Sequence, residues 1–244
     1  MKARTPDTLY SDLPAKPGSF AFDEAVTAVF EDMINRSVPG YQTMLGMLAV
    51  FARRFAMPDS HIYDLGCSLG ASTLMLQQHV DAEGARILAI DNAPAMIEKC
   101  SENLARQPAS VPVEVILADI QQVPIDRASL VVMNLILQFI PRQQRRELLL
   151  RIHDGMLPGG ALLLMEKVRF SDTEQQAFID ESHLDFKRAN GYSELEIARK
   201  RSALENFLVA ETLDEHIERL RQCGFQTVYP WFSCLNFAAL VAIK

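Results

Sequence analysis

Asp64, Gly66, Ser68 and Gly70 alternate through residues 61–70, and a second acid, Asp91, closes the apolar run 87–90. Small residues after a strand let the backbone approach a ligand closely, and the start of the following helix offers free N–H groups. An acid at the end of the next strand, roughly 20 residues further on, is placed to accept both hydroxyls of a ribose. The pattern departs from a dinucleotide fingerprint, because Asp64 precedes the first glycine by two positions and Ser68 stands where a second glycine is usual. A carboxylate there is badly placed beside a pyrophosphate and well placed for a cationic amino-acid end, directly or through water. That chemistry points to S-adenosyl-L-methionine. The competing reading is a tight strand–helix turn that serves another ligand or none.

Further candidates sit at the ends of the other apolar runs. Asp91 is the ribose acceptor or a helix-initiating acid, and Asn92 beside it offers its backbone to an adenine edge. Asp119 and Ile120 are an acceptor for the adenine amino group and a surface for its ring; a solvated turn acid fits Asp119 equally. Asn134 ends a hydrophobic run where its amide or carbonyl can hold the methionine portion. Tyr41, after Val38, Pro39 and Gly40, either shields a sulfonium or packs into the core. Arg199, Lys200 and Arg201 form a cationic cluster, which is a solvated face unless one guanidinium turns inward to grip a carboxylate with two parallel bonds. The five histidines show no metal-ligand spacing, no nucleophile triad is visible, and no metal is expected.

These residues need a scaffold. The chain has 244 residues, 49% of them hydrophobic, enough for one sizeable α/β domain. No apolar run approaches the ~20 residues of a membrane span, and residues 1–6 lead into polar sequence without a signal-like apolar stretch. A net charge of −7 argues against a surface built for nucleic acid. Cys67, Cys100, Cys223 and Cys234 are scattered and read as buried thiols of a reducing compartment, so the expected location is the cytoplasm.

Residues 1–20 read as an N-terminal arm, and 21–244 as an S-adenosylmethionine-binding domain with N-terminal helices over 21–56. Strands are predicted at 62–64, 86–91, 113–118, 130–134 and 161–167, separated by helices over 72–79, 94–106 (capped by Asn92) and 143–156, with a turn over 157–160. That alternation implies right-handed crossovers and a mostly parallel sheet with helices on both faces. A charged helical insert over 170–209 forms a cap above the carboxyl edge. A helix over 213–222 and strands over 225–232 and 237–243 close the chain as an antiparallel pair at one edge.

Residues 37–41, 63–70 and 89–98, and above all the insert segment from Asp185 through Glu196 to Lys200 and Arg201, closely resemble the carboxy-S-adenosyl-L-methionine synthase family. The insert is the most specific part, since generic methyltransferases share the first motif but not this segment. The resemblance covers nearly the whole chain after the arm. It implies a class I methyltransferase fold used for something other than methyl transfer. In that family S-adenosylmethionine and prephenate become carboxy-S-adenosylmethionine, phenylpyruvate and water. A partner tRNA carboxymethyltransferase then uses the product on wobble uridines.

The chemistry is coherent: the sulfonium acidifies its methyl group, and prephenate aromatises as it loses carbon dioxide and hydroxide. The hydroxide takes the methyl proton, and the carbon left behind attacks the carbon dioxide. Carried onto matching positions, the ligand contacts are Tyr41, Gly66, Cys67, Ser68, Asp91, Asn92, Asp119, Ile120, Asn134 and Arg201. Asp64 joins them from the motif reading. Arg201 is the expected cation for the added carboxylate, with Tyr41 beside the reacting centre. The resemblance also implies a homodimer. An ordinary methyltransferase and a non-catalytic adenosylmethionine-binding subunit remain alternatives.

Overall fold

A computed structural model describes Asp7, residues 23–204 and 207–244, the side chains at 200–204 excepted. Most of the expected arm, and the side chain of Arg201, therefore lie outside the described residues.

β1 (His61–Leu65), β2 (Arg86–Asp91), β3 (Val113–Leu117), β4 (Ala128–Asn134) and β5 (Met156–Arg169) are parallel neighbours in the order β3-β2-β1-β4-β5. The apolar runs of the central strands β1, β4 and β5 are buried on both faces, whereas β3 at the edge is only partly covered. β8 (Phe237–Ile243) adds antiparallel to β5, and β7 (Thr227–Cys234) pairs antiparallel with β8 at the edge. A two-residue strand missed in the sequence reading, β6 (Glu211–Thr212), pairs with the end of β5. The result is the expected mostly parallel methyltransferase-like sheet, with its order reversing between β1 and β4. Ligands of open α/β sheets bind at such a reversal, outside the carboxyl ends of the strands.

Strand alternation divides the core in two. Leu130, Val132, Leu163 and Met165 point to the face covered by α2 (Tyr41–Phe55) and α3 (Ala71–His79). Val131, Met133, Leu162 and Leu164 point to the face covered by α5 (Arg142–Gly155) and α8 (Leu213–Gln222). α1 (Glu24–Ser37) packs beside α4 (Pro94–Ala105).

Four expectations need correction. Residues 157–160 are not a free turn: they belong to β5, and a register shift opposite Ala128 and Leu130 absorbs Pro158 and Gly159. Helix α4 is capped not by Asn92 but by Ala93, with Pro94 at its first position, where a missing N–H costs nothing. Phe225 precedes β7 and is buried in the second core. The cysteines are all free, but Cys234 is only half-buried.

The segment between β5 and β6 folds as α6 (Thr173–Ala189) and α7 (Glu194–Leu204). Asp172 caps α6 through the Gln175 N–H (2.7 Å). α6 packs on α1, which brings the insert over the sheet edge. Asp7 ties this corner together. Its N–H donates to Asp32 Oδ2 (2.7 Å), its carboxylate accepts from the Tyr192 hydroxyl, and its carbonyl accepts from Arg36 Nη1 (3.3 Å). Arg36 Nε also donates to the Asn190 carbonyl (2.7 Å), and its guanidinium lies 3.9 Å above the Tyr192 ring.

Candidate adenosyl and co-substrate site

A cavity of 1380 Å³ opens at the carboxyl ends of β1, β2 and β4, with α1 and α2 on one side and α6 above. Tyr41, Gly66, Cys67, Ser68, Asp91, Asn92, Asp119, Ile120 and Asn134 all lie on its wall. Nine of the expected positions thus meet in one place. Asp64 is the exception: it is fully buried behind the β1 turn and forms no part of the wall.

The turn after β1 explains that placement. Gly66 has φ +82°, and a Cβ there would stand 2.2 Å from Ile136 Cδ1; Gly70 has φ +85°, and its Cβ would meet Cys100 Sγ at 2.8 Å. Both glycines are therefore required by the protein's own packing and backbone, whatever ligand arrives. Ser68 is also left-handed, at φ +50°, and its N–H is held by Asp91 Oδ2 (2.9 Å). The other Asp91 oxygen accepts from Ala93 N–H (2.9 Å). Asp91 thus holds the N–H of the α4 N-cap, Ala93, while its carboxylate also lines the cavity. Each oxygen keeps a lone pair for a further donor, since a carboxylate accepts about four hydrogen bonds. Burial raises the Asp91 pKa, and the backbone donors of Ala93, Ser68 and Asn92 oppose that.

Asp64 Oδ2 accepts from Thr73 Oγ1 at 2.5 Å, while Oδ1 has no hydrogen-bond partner among the described residues. Burial pushes its pKa up to about 7, so near neutrality it is poised between acid and anion. Tyr41 is buried at the start of α2, its phenol pKa raised by burial first and by Asp64 second. Its hydroxyl is thus a neutral donor at any physiological pH. Asn134 Nδ2 donates to Ser72 Oγ (3.1 Å), and its buried Oδ1 has no partner among the described residues. Asp119 closes its own turn by accepting from Gln121 N–H (2.9 Å), with Ile120 buried beside it.

The loop after β4 is set by a residue that the sequence reading missed. Glu166 on β5 is buried, its oxygens accepting from the N–H groups of Ile136 (3.1 Å), Leu137 (2.7 Å) and Gln138 (2.9 Å). Burial pushes its pKa up to about 8 against those three donors. It thereby places Ile136 against Gly66. His183 on α6 also faces the cavity, with Nε2 donating to the Ser37 carbonyl (2.8 Å) and Nδ1 accepting from Asn236 Nδ2 (3.1 Å). Neither residue belongs to a local motif, so no sequence signal marked them.

A half-buried carboxylate at the end of β2, a strained turn after β1 and the Asn134 Oδ1, unpartnered among the described residues, fit a cationic nucleoside such as S-adenosylmethionine. Fold and site together define a methyltransferase-fold, adenosylmethionine-binding enzyme, and residues 62–160 match the family described as a methyltransferase domain. An O-methyltransferase family protein from Burkholderia thailandensis shares the fold at TM-score 0.67 and 16% identity, over 95% of this chain and 65% of that one. The carboxy-S-adenosyl-L-methionine synthase of Pseudomonas putida is 53% identical over 245 residues, covering 99% of both chains. That of Hahella chejuensis is 51% identical over 98% of both. The chain belongs to the carboxy-S-adenosyl-L-methionine synthase family.

Proposed function

We propose that this enzyme converts S-adenosylmethionine and prephenate into carboxy-S-adenosylmethionine, phenylpyruvate and water, supplying the carboxymethyl donor for wobble-uridine modification of tRNA by a partner carboxymethyltransferase. One observation carries the reading: the insert helices roof a 1380 Å³ cavity, larger than the 300–1,000 Å³ typical of single-ligand pockets. A second small molecule has room beside the nucleoside.

In this reading Asp91 takes the ribose hydroxyls, with Asn92, Asp119 and Ile120 around the adenine. The peptide groups of Gly66, Cys67 and Ser68 line the sugar side. Asn134 Oδ1 accepts from the ammonium of the methionine portion, and Asp64 contributes negative potential from behind the turn. Tyr41 stands over the sulfonium. Arg201 belongs to α7, with its side chain outside the described residues; its proposed role is to pair with the carboxylate added to the product. The sulfonium acidifies the methyl group and the departing hydroxide of prephenate takes the proton, so the protein supplies no strong base. Its contribution is to hold two reactants in contact.

Among the described residues no helix is long and apolar enough to cross a membrane. Four free cysteines support a cytoplasmic location. Phe178 and Leu195 on the insert are exposed, at 70% and 54%, which supports a second copy of the chain as partner through this region.

Incubation of the purified protein with S-adenosylmethionine and prephenate should yield phenylpyruvate and a nucleoside heavier by one carboxyl group in mass spectrometry. Formation of S-adenosylhomocysteine with a methylated acceptor, and no heavier nucleoside, would establish ordinary methyl transfer instead.

A further inference from the structure

The turn after β1 is shaped partly from outside itself. Gly66 leaves a hollow that Ile136 fills, so closely that a Cβ at Gly66 would stand 2.2 Å from Ile136 Cδ1. Gly66 and Ile136 both line the cavity. Whatever fixes Ile136 therefore fixes the wall at this point.

The loop after β4 does not hold itself there. Leu135 has φ +62°, a left-handed conformation that a bulky side chain rarely adopts. Such a backbone persists only where its surroundings over-determine it. The Leu135 N–H donates to the Met165 carbonyl (2.7 Å), and the Leu135 carbonyl accepts from Gln138 Nε2 (3.2 Å). The next three N–H groups all end on Glu166: those of Ile136 and Leu137 on Oε1, that of Gln138 on Oε2. Gln138 Oε1 accepts in turn from the Lys167 N–H (3.3 Å), one residue beyond Glu166 on β5. Past Gln138 a second anchor takes over. The buried Arg145 guanidinium donates to the carbonyls of Gln138 (3.2 Å), Ile140 (2.8 Å) and Val209 (2.8 Å) and pairs with Glu211. The two anchors divide the loop: β5 holds 135–138, and α5 holds 138–140.

Glu166 occupies a costly place. By the alternation of β5 it follows Leu162 and Leu164 onto the face of the second core, where a carboxylate loses its water. It is 2% exposed and forms no part of the cavity wall. The three backbone donors offset its burial, and any influence on a ligand runs through the loop that carries them.

We propose that Glu166 is a positioning residue for S-adenosylmethionine, acting through the left-handed Leu135 and through Ile136 to set the wall beside the Gly66 turn. The assignment rests on the reading of the cavity as an adenosyl site, and not on which group is transferred there. Without the carboxylate the loop is free to leave the left-handed turn, and Ile136 no longer keeps its place against Gly66.

Calorimetric titration with S-adenosylmethionine and S-adenosylhomocysteine on Glu166→Gln, Glu166→Ala and Ile136→Ala tests this, with the folded fraction of each variant measured by denaturant unfolding. Glutamine keeps one acceptor oxygen and turns an amide NH2 on the remaining donor. It should raise both Kd values about threefold or more, and alanine about tenfold or more, per folded molecule. In the Ile136→Ala background, Glu166→Gln should add less than about twofold, because the group it positions is gone. Hydrogen exchange at the amides of residues 136–138 should quicken in both Glu166 variants. Parental Kd values in a folded variant whose loop amides exchange faster would leave Glu166 purely structural and overturn the assignment. A full multiplicative loss in the double variant would overturn it too, by showing that Glu166 acts elsewhere than through Ile136. If Glu166→Ala does not fold, Glu166→Gln and the double variant decide alone. A parent protein that binds neither ligand would instead remove the adenosyl reading of the cavity, and this assignment with it.

Discussion

Asp91 joins two structural contacts to the cavity. Its carboxylate fixes the left-handed Ser68 turn, accepts from the N–H of Ala93 ahead of α4, and lines the cavity. Replacing it by alanine should weaken every adenosyl ligand alike, since all share the ribose. Loss of charge-assisted bonds costs about 2 kcal/mol, or about 30-fold in Kd. Titration with S-adenosylmethionine and S-adenosylhomocysteine checks this, and unchanged affinity for both would remove Asp91 from the site.

Asp64 makes a different prediction, because in the proposed role it acts from behind the wall through its charge. Its folded pKa is about 7, and a cationic ligand favours the anion, so binding is coupled to proton release. Affinity for S-adenosylmethionine should therefore fall by up to about tenfold as pH drops from 7.5 to 6. Asp64→Asn should flatten that part of the profile, and identical pH slopes in the two proteins would show that Asp64 does not sense the ligand.

At the scale of elements, the insert matters because α6 is both roof and wall. Its position depends on contacts at its far end, where Tyr192 donates to Asp7 and supports the Arg36 guanidinium over its ring. Tyr192→Phe keeps the ring and deletes the hydroxyl, withdrawing one donor from a buried carboxylate. The expected cost is about 1–3 kcal/mol of unfolding free energy in denaturant titration. Proteolysis between α6 and α7 should also be faster. A variant as stable and as resistant as its parent would show that Asp7 does not hold the insert.

For the whole molecule, the second core contains one polar anomaly. His216 on α8 is 2% exposed, and neither ring nitrogen has a hydrogen-bond partner among the described residues. Burial lowers its pKa to about 4, helped by the nearby Arg219 and Arg145 guanidiniums and opposed by Glu211. Its unfolded value is about 6.5, so the unfolded chain takes up the proton first. The stability it contributes is complete above pH 6.5 and is lost as pH falls from there towards 4. The difference in stability between the parent and His216→Leu should shift by about 2 kcal/mol against the parent between pH 7 and pH 5. At pH 7 the leucine variant should be at least as stable, because an apolar side chain of similar size leaves no polar atom unpaired. Parallel pH curves from thermal or denaturant unfolding would refute the depressed pKa. Other buried groups, Asp64 and Glu166 among them, titrate with the opposite sign, but they cancel in this comparison.

What the sequence by itself determined were the features encoded within a few residues of each other. Double-sided burial is written in the apolar runs of β1, β4 and β5, and turn geometry in Gly66 and Gly70. The strand-end acid Asp91 follows from spacing alone, and the parallel order follows from helices between strands. The residues that line the cavity at the strand ends were legible for that reason. The partners of buried polar groups were not, because a carboxylate or imidazole is satisfied by whatever donor packing brings to it, from any distance along the chain. Glu166 reaches 28 to 30 residues back to hold the loop after β4. Asn236 reaches 53 back to fix His183, and Tyr192 reaches 185 back to Asp7. Residues 157–160 read as a turn from glycine and proline alone, and only pairing with β4 made them part of a strand. Local chemistry pointed to the residues at the strand ends; long-range packing decided how the cavity around them is roofed.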